Sequence, residues 1–132
     1  IKPTTYMNLS GKAMKYWMDK EGIDISRTLT IVDDLALPLS KLRLRGSGSD
    51  SGHNGLKDIQ RTLGTDQYPK LRFGIGSQFP KGHQVEFVLG KWLPDEQKII
   101  QSKIEKSIEI IESFATIGLE KTMSQINNLN FL

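Results

Sequence analysis

Three stretches of the chain carry apolar residues at helical spacing. In the first, Asn8 is placed to cap a helix and Gly22 to end it. Its apolar positions are Leu9, Ala13, Tyr16 and Trp17, and the two aromatic residues are predicted to lie in the core. A second helix is predicted over residues 54–64, and the longest begins at Pro94 and ends at Gly118. The predicted core stripe of the longest helix consists of Ile99, Ile104, Ile108, Ile111 and Phe114.

Three shorter stretches are typical of strands. Residues 28–32 are β-branched and apolar towards their end, as in a strand that is covered on both faces. Residues 41–45 alternate strictly, which points two leucines towards a core and three cations to the other face. Residues 71–76 are the third candidate, and their two glycines indicate that another group closely approaches the backbone.

The order of these elements predicts a three-layer α/β/α fold with a mixed sheet. Residues 46–52 contain only small and polar side chains and are expected to form a mobile loop, and residues 77–82 are predicted to form a second loop. Three strands are too few to carry helices on both faces of a sheet. We therefore expect a sheet that is incomplete here, with its N-terminal strands missing.

The composition excludes several classes of protein. The chain has 132 residues, enough for one domain, and its apolar runs are far shorter than a membrane span. It has no cysteine, which rules out disulfides and thiolate metal sites and favours a cytoplasmic protein. Two histidines leave little to bind a metal, and without a motif for a phosphate loop, a zinc protease or a serine esterase, the kinase, zinc hydrolase and serine esterase interpretations lose support.

Two places in the chain are candidates for chemistry. Asp33 follows the most apolar strand, at the edge where open α/β sheets bind ligands. A carboxylate there can orient a histidine, or it can simply cap the loop that follows. His53 and Asn54 lie at a predicted helix start, where free N–H groups favour anions or carbonyl oxygens. The same pair also fits an ordinary helix cap after a flexible linker, so both interpretations stay open.

The cations of the alternating strand are a candidate nucleic-acid surface. Lys41, Arg43 and Arg45, with Arg72 predicted nearby, would be spaced by about 6.5 to 7 Å, comparable to successive phosphates of a nucleic-acid strand. A solvated edge strand that charge protects from aggregation has the same pattern. The pattern alone does not choose between these two interpretations.

Five sequence blocks together identify a family. They are KPTTYMNLSG (2–11), VDDLALP (32–38), GHNGLK (52–57), LRFGIG (71–76) and VLG (88–90). Their order and spacing strongly resemble those of bacterial peptidyl-tRNA hydrolase, from one end of the chain to the other. Five blocks in register are far more specific than any single motif.

The resemblance implies hydrolysis of the ester between a peptide and the terminal ribose of tRNA, which recycles tRNA during translation. The partner would be the acceptor end of peptidyl-tRNA, and the protein would be a monomer without a cofactor or metal. The resemblance implies that Asp33 hydrogen-bonds a general-base histidine and that Asn8 and Asn54 hold the substrate around the ester. Tyr6 matches an aromatic position beside Asn8, and His53 supports the substrate site. The tRNA phosphates would meet Lys41, Arg43, Arg45 and Arg72.

One departure from the family shapes the remaining expectations. The family's first strand and general-base histidine precede the position that matches Ile1. We therefore expect residues 1–132 to form the C-terminal two-thirds of a single domain and to be inactive as written. Two alternatives stay open: a non-catalytic RNA-binding relative, such as the chloroplast splicing factor with this fold, and a module whose exposed strand edge pairs with another chain. The presence of Asn8, Asp33 and Asn54 favours the enzyme.

Overall fold

The structure is a computed structural model that describes residues 1–79 and 81–132. Pro80, which belongs to the predicted loop over residues 77–82, lies outside the described residues. The helices and strands are, in chain order, α1 Ser10–Glu21, β1 Thr30–Asp34, β2 Leu42–Arg45, α2 Asn54–Leu63, β3 Lys70–Gly74, α3 Gln84–Leu89, α4 Pro94–Ile117 and α5 Leu119–Ile126. The strands form one mixed sheet in the order β1-β3-β2, which confirms the predicted α/β class.

The chain divides into two compact units. The first comprises residues 1–30 and 45–70, and the second comprises residues 31–44 and 71–132. In the first unit α1 packs against α2 and against a short 3-10 turn, Met7–Leu9. The apolar face of α2 is buried as its spacing predicts, with Leu56 and Ile59 almost fully covered. Gly64, in the left-handed conformation, ends α2 where expected.

The second unit holds almost all of the sheet together with α3, α4 and α5. Strand β2 shows the predicted alternation, since Leu42 and Leu44 are buried while the arginines between and after them are exposed. Within the sheet β2 lies at an edge. The side chain of Asn127 covers that edge by accepting a hydrogen bond from the Leu44 N–H (2.8 Å) and donating one to the Leu44 carbonyl (3.0 Å).

Helix α4 turns a different face inward than the one predicted. Its buried positions are Lys103, Ser107 and Ile110. The predicted stripe is instead exposed at Ile104, Ile108 and Ile111. The two sets lie one residue apart, which is a rotation of about 100° around the helix axis. The buried face includes a lysine and a serine, so apolar periodicity did not select it.

The prediction that Tyr16 and Trp17 are core residues is also wrong. Their side chains are 57% and 39% exposed, and their rings meet edge to face with centroids 5.3 Å apart. The ammonium of Lys20 lies 4.9 Å from the Trp17 ring centroid. Helix α1 contacts α2 through Gly11, which is buried, so these aromatic rings lie away from that contact.

Along the residues described here, none of the helices combines the length and the apolar character required to cross a membrane.

Candidate functional site

Asn8 lies on the 3-10 turn that precedes α1, and it does not cap that helix. The cap position of α1 is Leu9, which offers no side-chain hydrogen bond to the helix. Tyr6 directly precedes the turn and is 83% exposed. Asn8 is exposed as well, and its side-chain amide makes no hydrogen bond within the described residues. The predicted capping role of Asn8 is therefore wrong, and its amide remains available to a ligand.

His53, and not Asn54, caps α2. The His53 Nδ1 accepts hydrogen bonds from the Gly55 N–H (3.1 Å) and the Leu56 N–H (3.3 Å). Asn54 is the first residue of α2, and it is exposed. Within the described residues its side chain makes no hydrogen bond, so capping does not engage this amide either. The interpretation of Asn54 as an ordinary helix cap is thereby excluded.

The capping bonds also limit the chemistry of His53. An imidazole nitrogen that accepts two N–H groups carries no proton, so the proton of neutral His53 is on Nε2. A nitrogen that already holds a proton cannot take another from water. His53 can serve as a general base only if it gives up the cap of α2.

Close packing in the first unit holds the 3-10 turn Met7–Leu9, which contains Asn8, beside the start of α2. A Cβ on Gly11 would lie 2.5 Å from the Asp58 carbonyl oxygen and 2.5 Å from the Thr62 Oγ1, so only glycine permits α1 to approach α2 this closely. The Gly11 N–H donates to the buried Asp58 carboxylate (2.8 Å). The Arg61 guanidinium, and after it this N–H, holds the pKa of Asp58 below its ordinary value.

A second contact joins the same two elements. Added to Gly55, a Cβ would lie 2.7 Å from the Met7 sulfur and 2.9 Å from the His53 ring, so Met7 packs directly on the first turn of α2. The 3-10 turn and α2 are in contact accordingly. Asn8 and Asn54 thus belong to two elements that pack against each other, and both amides face away from the packed core.

Asp33 lies inside β1, which runs from Thr30 to Asp34 and is therefore shifted by two residues from the predicted strand over residues 28–32. Asp33 is half-buried. Asp34 is buried, and its carboxylate stabilises the local structure through two contacts. Its Oδ1 accepts a hydrogen bond from the Ala36 N–H (2.8 Å), and its Oδ2 lies 3.6 Å from the Arg72 guanidinium. Asp34 thus has a structural role at the end of β1.

Arg72 does not extend the exposed row of strand cations. Arg72 is on the central strand β3, only 7% exposed, and it forms the ion pair with Asp34. A neighbouring strand supplies that carboxylate, which is why the linear sequence does not reveal the pairing. Arg43 and Arg45 are exposed on β2, as predicted. Lys41 precedes β2 and donates to the Leu129 carbonyl (3.3 Å), so the exposed row consists of the two arginines.

The segment that joins β1 to β2 folds tightly over the end of β3. The Gly74 and Gly76 N–H groups donate to carbonyls of that segment at 3.1 and 3.0 Å, and the Ile75 N–H donates to the Asp34 carbonyl at the end of β1 (3.1 Å). A Cβ on Gly74 would overlap the Pro38 carbonyl oxygen and would lie 2.9 Å from two further carbonyl oxygens of the same segment. The close approach predicted from the glycines is therefore confirmed at Gly74.

Lys103 is a feature that the sequence did not indicate. It is fully buried beneath this segment, and its ammonium donates to the carbonyls of Leu39 (2.7 Å) and Gly74 (2.5 Å). Burial lowers the pKa of Lys103 to about 8. One sequence feature could have indicated this burial: Lys103 lies among apolar residues of α4, and a lysine on a buried helix face requires hydrogen-bond partners.

Among the described residues, no three His, Asp or Glu side chains cluster as metal ligands.

Comparison with known proteins connects these features to one family. The sequence model of the family described as peptidyl-tRNA hydrolase matches residues 1–131. A peptidyl-tRNA hydrolase of Parabacteroides distasonis is 52% identical over 128 residues, which cover 97% of this chain and 68% of the relative. One of Phocaeicola vulgatus is 53% identical over 127 residues, which cover 96% of this chain and 68% of the relative.

Solved structures agree with the sequence comparisons. The crystal structure of peptidyl-tRNA hydrolase from Acinetobacter baumannii superposes with a TM-score of 0.89 at 29% identity, covering 98% of this chain and 66% of that one. The chain thus spans about two thirds of the length of the proteins it matches. The expectation that it is inactive as written is not borne out, because relatives bearing the name of the hydrolase match nearly all of it.

Proposed function

Because the chain belongs to the peptidyl-tRNA hydrolase family, we propose that it hydrolyses the ester bond between a peptide and tRNA. The observation that carries the proposal is the pair of exposed amides on Asn8 and Asn54. They are presented by elements that pack against each other, and neither amide is used for capping or internal hydrogen bonds within the described residues. An asparagine amide can donate to a developing oxyanion and can also position a carbonyl group or a water.

Asp33 supplies the second element of the proposed reaction. Ester hydrolysis at neutral pH requires a base that activates water, and a carboxylate that hydrogen-bonds a histidine keeps the imidazole in its useful tautomer. Asp33 acts through such a histidine, the one that the family places before the position matching Ile1, and does not itself touch the ester. The adjacent carboxylate, Asp34, is already engaged by Arg72 and the Ala36 N–H, so it is not a candidate for this role.

Replacing Asn54 with Ala tests the role of its amide. We expect kcat/KM for peptide release to fall by about 10²-fold, because the ester loses one group that positions it. The melting temperature should stay the same, since His53 provides the cap of α2. The matched control is Asn128→Ala, which removes an exposed asparagine of the other compact unit. Unchanged steady-state parameters for Asn54→Ala would show that its amide does not contact the substrate.

The exposed arginines of β2 are the proposed contact with tRNA phosphates. The alternative, protection of a strand edge by charge, is weakened because the Asn127 side chain already covers the backbone of that edge at Leu44. Arg43 and Arg45 lie on the same face of the strand at about the spacing of successive phosphates. Such contacts recognise charge and shape, so they supply affinity without sequence preference.

The double substitution of Arg43 and Arg45 with Ala tests this interaction with tRNA. We expect weaker binding for every tRNA tested and a flatter dependence of log Kd on log salt concentration, by about 0.7 to 0.9 for each phosphate that the variant no longer neutralises. The control replaces Lys98 and Lys121, two cations on α4 and α5, and makes the same change in net charge. An unchanged salt slope in the arginine variant would contradict the proposed interaction.

The proposal also covers the setting in which the protein acts. The substrate is produced by translation, so we propose that the protein works in the cytoplasm, as a monomer on the acceptor end of peptidyl-tRNA. The lack of cysteine is consistent with a reducing compartment.

A further inference from the structure

The ammonium group of Lys103 joins two parts of the second unit that are far apart in sequence. Its Nζ donates to the Leu39 carbonyl in the segment between β1 and β2, and to the Gly74 carbonyl at the end of β3. It also lies 4.0 Å from the centroid of the Phe73 ring. The side chain is fully buried, so α4 connects the segment and the strand from within the core.

A buried lysine at this position requires an explanation. Transfer of an ammonium out of water is costly unless it finds strong partners, and an apolar side chain would fill the same space at lower cost. Within the part of the chain that the structure describes, no carboxylate lies within ion-pair distance of this ammonium. Its partners are two backbone carbonyls and an aromatic ring. The contacts therefore fix backbone positions and do not neutralise a charge.

The backbone that Lys103 holds is the one next to the proposed catalytic carboxylate. The Asp34 carbonyl accepts from the Ile75 N–H (3.1 Å), and the Leu37 carbonyl accepts from the Gly76 N–H (3.0 Å). These bonds tie both ends of the short turn after β1 to the extension of β3. Lys103 adds a hydrogen bond to the Leu39 carbonyl, in the part of the segment that these backbone bonds do not attach to the extension of β3. Residues 34–41 are thus held by backbone hydrogen bonds from the extension of β3 and by the Lys103 ammonium of α4.

We propose that Lys103 is a positioning residue for Asp33: it holds residues 35–40 against the end of β3 and thereby fixes the end of β1 that carries Asp33. The catalytic part of this inference rests on the proposed hydrolase function. The structural part, a segment held by a lysine of α4, does not. The two parts can therefore be tested by separate measurements on the same variants.

Lys103→Met keeps the length of the side chain and removes its N–H donors. We expect kcat for peptide release to fall by about 10- to 100-fold with KM within about twofold, because a displaced Asp33 orients its histidine poorly while the interactions with tRNA persist. We also expect the Lys41, Ile75 and Gly76 amides to exchange hydrogen on the order of 10-fold faster. The amides of α2, in the other unit, should exchange at the wild-type rate. The control is Lys106→Met, which removes a cation from the surface of the same helix.

A second variant covers the case in which Lys103→Met does not fold. Because the sequence contains no cysteine, Lys103→Cys introduces a single thiol, which bromoethylamine in denaturant converts to a side chain with the length and amine of lysine. After refolding, this aminoethylated protein should recover kcat and slow exchange at Ile75 and Gly76. The same protein alkylated with iodoacetamide carries no amine and should recover neither.

The outcomes separate the two proposals. Faster exchange confined to residues 34–41 and 74–76, reversed by the amine, supports the positioning of the segment by Lys103. If that result is accompanied by wild-type kcat, the link to Asp33 is wrong. Uniformly faster exchange throughout the protein would overturn the inference, because Lys103 would then stabilise the fold in general. If the wild-type protein itself releases no peptide, the proposed function fails, while the exchange data still decide what Lys103 holds.

Discussion

Asp33→Asn should lower kcat for peptide release by about 10² to 10⁴-fold while the affinity for tRNA stays within about threefold of wild type. The amide keeps the size of the carboxylate but presents the wrong hydrogen-bonding groups and no charge to a histidine. The base is then neither oriented nor stabilised when it takes a proton. The measurement is single-turnover release of a labelled peptide, together with binding of deacylated tRNA.

Two further variants make the result specific to Asp33. Asp19→Asn removes an exposed carboxylate that pairs with Lys15, and it should leave kcat unchanged. Asp34→Asn breaks the buried contact with Arg72 and weakens the local hydrogen bonding at the end of β1, so its main effect should be on stability. A fall in tRNA affinity in Asp33→Asn as large as the fall in kcat would contradict a role limited to the chemical step.

Gly74→Ala should destabilise the protein by about 3 kcal/mol or more. The added methyl group would overlap the Pro38 carbonyl oxygen and crowd the carbonyl oxygens of Leu37 and Lys41. These are backbone atoms, so no side chain can rotate away to make room. The segment between β1 and β2 would have to lift from the end of β3. Chemical denaturation of the variant and the wild-type protein gives the difference in the free energy of unfolding.

Gly22→Ala is the graded control for this prediction. Gly22 ends α1 in the left-handed conformation at φ 64°, and nothing lies within 4 Å of an added Cβ. The cost should be about 1 kcal/mol, from the backbone conformation alone. If the two alanine variants were destabilised equally, steric overlap at Gly74 would not be the cause.

Local patterns predicted the elements of this protein well. The strict alternation of β2 gave the correct buried leucines and exposed arginines, because a strand has a period of two whatever it packs against. Helix α2 begins and ends where its apolar spacing and Gly64 indicate. The close approach at Gly74 was also foreseen from glycine alone, although its partner, the Pro38 carbonyl, was not.

Predictions that depended on a partner from another element were less successful. A helix cap was one of two interpretations left open for Asn54, but the His53 ring reaches the N–H groups of the first turn from one residue earlier. Arg72 was assigned to the surface because its carboxylate partner, Asp34, comes from the neighbouring strand. The burial of Lys103 was not foreseen because the two carbonyls that satisfy its ammonium lie 64 and 29 residues away. Hydrogen-bond partners supplied by tertiary structure leave no local signal in a sequence.

The most direct test of the proposed hydrolase is to present peptidyl-tRNA to the wild-type and Asp33→Asn proteins and to follow binding and release in the same samples. We expect both proteins to bind the tRNA with similar affinity. The wild type should release free peptide and intact tRNA with many turnovers, and the variant should do so about 10² to 10⁴ times more slowly. If the wild-type protein binds peptidyl-tRNA but leaves its ester intact, the proposed activity is wrong and the chain is a non-catalytic RNA-binding member of its family.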